Sequence, residues 1–300
     1  MKRLIVAVLV AVLVLVLVTP AVLAKPDMNK PLSATDVQLV KKVTLRGKPG
    51  GGGGGKPVTQ ASTGVLGASC SGNKYAIVVG ISNYPGTAND LQYCDDDAQD
   101  MYDALTTLYG YSPDNIHLLL DMGASFTAIL NAINVTKSQA VAGDEVVFFF
   151  SGHGTKGVAD DGDMEKTDEA IVAHNGSNLV AIWDGQLKDW FAGFNTTRIV
   201  FIFDSCLAGG MTDLQSPGRV INMACSEGGL SYEGASWQNG QFTYYFVKQG
   251  MSGSLADRYD HDNNAASPDV TVEEAYDYAK ANCRWQTPTI SDSFGNDLLL

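Results

Sequence analysis

Two stretches decide the fold: Val146-Val147-Phe148-Phe149-Phe150-Ser151-Gly152-His153-Gly154 and Arg198-Ile199-Val200-Phe201-Ile202-Phe203-Asp204-Ser205-Cys206. Each is an unbroken apolar run that stops abruptly in polar or glycine residues. That pattern predicts a strand buried on both faces of a parallel sheet. Ligands of open α/β sheets bind in the crevice outside the carboxyl ends of the strands. A histidine closing one strand and a cysteine closing another therefore face a common crevice, with Cys206 as nucleophile and His153 as its base.

Working outward, further buried strands are expected at Tyr75–Gly80, Asn115–Leu120 and Val220–Cys225. Helices are expected from the Asp95-Asp96-Asp97 cluster to about Gly110, over Thr127–Ser138, over Asp184–Phe194, over Phe242–Gly250 and over Val272–Cys283. The three carboxylates at the first helix start suit its macrodipole without any ligand. The alternation of strand and helix predicts a mostly parallel sheet with helices on both faces. His117 reads as structural, His174 as a surface residue, and Leu207–Gly218 as a mobile loop. Asp260, Asp262 and Asn264, with Glu273 beyond, loosely follow a calcium loop, but the spacing is two residues too long and the glycine is missing.

The chain resembles the caspase-like cysteine peptidases and, among them, the metacaspases and their prokaryotic relatives. Ser151-Gly152-His153-Gly154 and Asp204-Ser205-Cys206-Leu207-Ala208-Gly209-Gly210 carry the resemblance. Tyr75–Gly80 with Ile81-Ser82-Asn83-Tyr84, Leu91–Ala98, and Asp168-Glu169-Ala170-Ile171 add to it. It implies the caspase-hemoglobinase fold over residues 73–300 and a cysteine endopeptidase. Cys206 would attack a peptide carbonyl and His153 would protonate the leaving amine, with backbone N–H groups of Gly154 and Cys206 holding the oxyanion. Glycine at 152 and 154 suits a backbone that must approach substrate closely.

The resemblance also implies specificity and regulation. The metacaspase pocket for the residue before the scissile bond is acidic, and its positions match Asp97 and Asp204 here. Paired carboxylates suit a guanidinium or an ammonium, so peptide or protein substrates with Arg or Lys are expected. The family's calcium-binding carboxylates map onto Asp168, Asp184 and Asp213, while a fourth acidic position is Gly185 in this chain. Two other readings compete: a catalytically inactive caspase-like scaffold, and a peptidase of the legumain, clostripain or gingipain type. Inactive relatives tend to lose the Cys or His that this chain keeps. Cys225-Ser226-Glu227 and Ser231-Tyr232-Glu233-Gly234 look more like the caspase-like group.

Composition sets the boundaries. A net charge of −13 and only 20 Lys and Arg among 300 residues disfavour nucleic acid as a partner and suit a multivalent cation. Lys2-Arg3, the apolar run Leu4–Val18 and the small-residue exit at Ala24 form a signal-peptide pattern over residues 1–24. A secreted or extracytoplasmic protein is expected, membrane-anchored only if the leader stays uncut. Residues 25–72 read as a propeptide or tether, with six glycines from Gly50 to Gly55. Self-cleavage is expected after Arg46, Lys48, Lys56 or Arg219, basic residues in or beside glycine-rich segments. Five cysteines leave Cys206 as a thiol, and Cys70, Cys94, Cys225 and Cys283 either bridged or reduced.

Overall fold

The computed structural model describes residues 37–40, 42–45, 60–159 and 167–300. The leader, the glycine tract and Arg46, Lys48 and Lys56 lie outside the described residues. In chain order the elements are β1 (Val37–Val40), β2 (Val43–Leu45), β3 (Lys74–Gly80), α1 (Cys94–Thr107), β4 (Ile116–Leu120), α2 (Phe126–Gln139), β5 (Glu145–Ser151) and β6 (Gly154–Gly157). There follow β7 (Asp168–His174), β8 (Leu179–Trp183), α3 (Asp184–Ala192), β9 (Ile199–Asp204), β10 (Arg219–Met223), β11 (Tyr232–Gly234), β12 (Asn239–Gly240), α4 (Gln241–Thr243), α5 (Val272–Asn282) and β13 (Thr289–Asp292).

The central sheet runs in the order β13-β10-β9-β5-β3-β4 and is parallel except for edge strand β13. Fully buried β5 and β9 lie side by side at its centre, paired from Val146 with Ile199 to Ser151 with Asp204. Their alternation splits the core in two. Val146, Phe148, Phe150, Ile199, Phe201 and Phe203 pack on one face with Ile129 and Ile133 of α2 and Leu187 and Phe191 of α3. Val147, Phe149, Val200 and Ile202 pack on the other with Met101 and Leu105 of α1 and Val272 and Tyr276 of α5. From Val146 to Phe150 and from Ile199 to Phe203 the two strands are thus apolar at every position because both faces are covered. This is the expected caspase-like α/β architecture.

Two smaller sheets stand beside the central one. An antiparallel sheet has the order β1-β6-β7-β8, and a third joins β12-β11-β2. Both include a strand from the amino-terminal segment. Residues 60–67 also belong to the folded body: Asp277 accepts the Ala61 and Ser62 N–H groups, and Asp297 accepts those of Thr63 and Gly64.

Several expectations need correction. His174 is buried, not on the surface; its Nε2 donates to the Asp121 carbonyl at 3.0 Å. The stretch after Cys206 is no mobile loop, because Ala208–Leu214 forms a 3-10 helix that buries Ala208, Met211 and Leu214. Arg219 is sequestered in β10, donating to the Leu214 and Phe191 carbonyls, and so offers no accessible cleavage point. The Phe242–Gly250 helix is mostly π-helical, over Tyr244–Met251. Of the two cysteine readings left open the reduced one holds, since none of the five is in a disulfide. The loose calcium loop is a turn in which Asp260 and Asp262 accept the Asn264 N–H, while Glu273 lies buried at the start of α5.

Glu273 carries a cost. One carboxylate oxygen accepts the Leu298 N–H at 2.7 Å, and the other, Oε1, is buried with no hydrogen-bond partner. Burial pushes its pKa up to about 8, so the folded protein prefers the protonated form. The penalty is absent below the unfolded pKa, grows as pH rises through the interval, and is complete above about 8. Glu273→Gln should therefore raise the melting temperature at pH 8.5, by a stabilisation on the order of 2 kcal/mol, and change it little at pH 4.5. Thermal unfolding at the two pH values checks this.

Candidate active site

The parallel register sets the geometry of the site. Ser151 and Asp204 are paired at the carboxyl ends of β5 and β9, and two residues further each chain reaches its reactive side chain, His153 and Cys206. Both are buried. The two backbones touch, for a Cβ on Gly154 would collide with the Cys206 carbonyl. Glycine at 152 has a similar reason, since a Cβ there would stand 2.6 Å from the Tyr84 hydroxyl. His153, Gly154 and Cys206 thus stand together at the carboxyl ends of β5 and β9.

Hydrogen bonds fix the histidine. Its Nε2–H donates to the Asn89 carbonyl at 2.8 Å, which leaves Nδ1 as the basic nitrogen. Tyr84 Oη accepts the His153 N–H at 3.0 Å and donates to the Val172 carbonyl at 3.0 Å, with its ring 4.9 Å from the imidazole. Asn89 and Tyr84 thus hold the histidine, contacts that the sequence reading did not assign. Cys206 Sγ accepts the Ser231 N–H at 3.2 Å. Burial pushes the thiol up to about 11, opposed by the Ser231 hydrogen bond and by Lys42 and reinforced by Asp204. It is therefore a thiol at neutral pH in this state, and reaction needs a base to take its proton.

Asp97 and Asp204 come together as expected, and between them lies a residue not anticipated, Lys42. Its ammonium is 3.0 Å from Asp204 Oδ1 and 3.4 Å from Asp97 Oδ2, with all three side chains fully buried. It also donates to Ser151 Oγ at 3.1 Å and to the Asp204 carbonyl at 3.2 Å. Burial alone would depress the Lys42 pKa, but Asp204, Cys94, Asp97 and Glu233 outweigh it and hold the ammonium charged. Burial also raises the Cys94 thiol at the pocket wall.

Neighbours hold the two carboxylates in place. Asp97 Oδ1 accepts from Asn239 Nδ2 and the Gly240 N–H, and Oδ2 accepts from Ser151. Asp204 accepts from Ser231 Oγ and from the N–H and hydroxyl of Thr243. Gly240 is required by the site itself: a Cβ there would overlap Asp204 Oδ2 and stand 2.6 Å from the Lys42 ammonium. Glu233 fixes the loop before α1 through the Gln92 and Tyr93 N–H groups, and accepts the Thr44 hydroxyl at 2.5 Å.

The carboxylates matched to calcium are only partly assembled. Asp168 and Asp184 are buried at the same end of the β7–β8 pair. Asp213 instead lies on the 3-10 helix, paired with Lys188 of α3 at 3.3 Å. Oxygen donors suit calcium, yet among the described residues no three His, Cys, Asp or Glu side chains gather to hold an ion. Residues 160–166 of the acidic loop lie outside the described residues. Among the described residues no helix is long and apolar enough to cross a membrane.

A cysteine and a histidine at adjacent strand ends, beside a buried acidic pocket on a caspase-like α/β sheet, define the class. Residues 74–215, a little under half of the chain, match the metacaspase, peptidase C14 domain. Over 148 residues it is 36% identical to Metacaspase-4 of Arabidopsis thaliana, covering 47% of this chain and 34% of the relative. It is 33% identical to Metacaspase-7 of the same plant over 148 residues, covering 47% and 36%. Metacaspase-1 of Saccharomyces cerevisiae is 30% identical over 156 residues, covering 49% of this chain and 36% of the relative. The chain thus spans about a third of the length of these relatives. A crystal structure of a Geobacter sulfurreducens protein shares the fold at a TM-score of 0.54 and 18% identity, covering 73% of this chain and 93% of that one.

Tyr84→Phe tests the positioning of His153. It removes one hydroxyl that both accepts from the histidine backbone and donates to Val172. Turnover of a lysyl peptide should fall about tenfold, from one lost buried hydrogen bond, with KM little changed. Steady-state kinetics on the variant measures both constants.

Proposed function

We propose that the protein is an exported cysteine endopeptidase that cleaves after lysine or arginine and processes its own linker. In this reading His153 Nδ1 takes the Cys206 proton, the thiolate attacks the carbonyl of the residue held between Asp97 and Asp204, and the histidine returns the proton to the leaving amine. Water then hydrolyses the thioester. The observation that carries the reading is the buried Lys42 ammonium between the two carboxylates beside the dyad. It supports a pocket built for a cation, while the family supports peptides as substrates. Self-processing is assigned to Arg46, Lys48 or Lys56.

Hydrolysis of fluorogenic Arg, Lys, Asp and Asn peptides tests the reading. Cleavage of the Arg and Lys peptides is expected, with none in Cys206→Ala or His153→Ala. An Asp peptide as the best substrate would overturn the pocket assignment, and activity near wild type in either variant would remove the dyad.

Affinity should also depend on pH. Burial, reinforced by Asp204, pushes Asp97 up to about 7 even with Lys42, Ser151 and Asn239 pulling it down. A cation binds the ionised form, and a substrate enters only once Lys42 and its downward pull have left, so KM for a lysyl peptide should fall as pH rises above about 7. Asp97→Asn should flatten that profile and raise KM throughout. KM measured from pH 5.5 to 8.5 decides between a titrating and a silent carboxyl.

Calcium stimulation enters this reading through Asp168 and Asp184 alone, and no catalytic step passes through an ion. Added calcium should raise turnover in the wild type and not in Asp168→Ala. A response that survives the substitution would place the cation elsewhere.

A further inference from the structure

The segment that fills the pocket also lies along the whole crevice, and its chain direction can be read. β1 runs antiparallel along β6, the strand that directly follows His153, with Val40 opposite Gly154. β2 runs parallel along β11, the strand that directly follows Ser231 at the Cys206 sulfur, with Val43 opposite Tyr232 and Leu45 opposite Gly234. Lys42 sits between the two strands, in the pocket.

Hydrolysis imposes an order on any occupant. The residue in the pocket supplies the carbonyl that the cysteine attacks, and the residue after it supplies the nitrogen that the histidine protonates. Here the N–H that donates to His153 Nδ1, at 3.1 Å, is that of Lys42 itself, the residue in the pocket. The nitrogen at the base thus belongs to the residue in the pocket, whereas a substrate would set there the nitrogen of the residue that follows it. The strands agree. β1, before Lys42, lies on the side next to His153 where a leaving group would lie, and β2, after it, lies on the other side.

We propose that residues 37–45 are an inhibitor of this protein's own groove, bound with chain direction opposite to that of a substrate and hence not cut where it lies. This rests on the proposed Cys206–His153 site. The segment holds the pocket by its lysine, occupies the proton-accepting nitrogen, and offers the nucleophile no carbonyl from the pocketed residue. Tethering presents it at an effective concentration on the order of millimolar. A cut between residues 46 and 59 turns it into a separate peptide that dilution removes. Because the molecule's own groove is filled, that cut comes from a second molecule.

The test uses the full chain and the synthetic peptide VQLVKKVTL, residues 37–45. Lys42→Glu, which sets a third carboxylate against Asp97 and Asp204, should raise hydrolysis of a lysyl peptide about tenfold or more at substrate concentrations below millimolar, and Lys42→Ala should act in the same direction. The peptide should inhibit both variants competitively and stay intact by mass spectrometry. Cysteine-dependent cleavage of the Lys42–Val43 bond, in the chain or the peptide, would overturn the proposal, as would unchanged activity in both variants.

A binding arm separates this proposal from the catalytic reading. The Cys206→Ala, Lys42→Glu double variant should bind the peptide whether or not the protein hydrolyses anything. With a photo-crosslinking leucine at position 45, adducts should map to 232–234, and with one at position 39 to 154–157. The exchanged pattern would show forward binding and overturn the proposal, and so would no binding. Binding in the expected pattern without hydrolysis by any form would leave the docked segment standing and remove the catalytic reading.

Discussion

Two carboxylates buried side by side need a cation, and much of this structure's catalytic edge follows from that requirement. Asp97 and Asp204 are wholly buried, so their repulsion is poorly screened and each costs several kcal/mol to desolvate. The pair is tolerable because Ser151 of β5, Asn239 and Gly240 of β12, Ser231, and Thr243 at the end of α4 all contribute donors, and because Lys42 supplies the charge. The same hydrogen bonds tie the crevice together. Ser151 ends β5 and touches Asp97, while Ser231, next to the Cys206 sulfur, touches Asp204. A change of occupant is therefore felt at the nucleophile, whose thiol loses a neighbouring positive charge when Lys42 leaves.

The central sheet was legible because its strands are buried on both faces. Such a strand writes an unbroken apolar run into the sequence, and the polar residues that end it mark the edge where the chemistry sits. His153, Cys206, Asp97 and Asp204 were found on that logic together with the family pattern. The second sheet was not, because β6 and β7 begin in Gly154-Thr155-Lys156-Gly157 and Asp168-Glu169, residues that read as a polar loop. They are buried or half-buried only because β1 and the 3-10 helix after Cys206 cover them. His174 was misread for a related reason: its partner, the Asp121 carbonyl, lies 53 residues away.

Lys42 was the largest omission, and a signal was present. Val37-Gln38-Leu39-Val40-Lys41-Lys42-Val43-Thr44-Leu45 has strand-like composition, broken by two lysines, ahead of a glycine tract. A lysine in such a run is buried only with carboxylates to meet it, and here Asp97 and Asp204 meet it. What sequence does not reveal is the pairing over separations of 55 residues to Asp97 and 162 to Asp204. Still less does it reveal direction, because an extended lysine-centred segment fits a two-sided groove either way.

Direction is what separates an inhibitor from a substrate in such a groove. A basic segment tethered beside a protease that prefers basic residues is presented at high effective concentration, so in the forward direction it would be cut early and lost. Inverting the chain keeps the ion pairs with Asp97 and Asp204, because a point charge on a flexible stem is indifferent to backbone polarity. It also keeps strand pairing on both sides, since β2 is accommodated in parallel on β11 as β1 is antiparallel on β6. Only the order of carbonyl and nitrogen at the dyad changes, and that order is what hydrolysis requires. Affinity and reactivity are thereby uncoupled with no change to the pocket. The inhibitor's lifetime then depends on the residues that join it to residues 61–64, where the chain is anchored through Asp277 and Asp297.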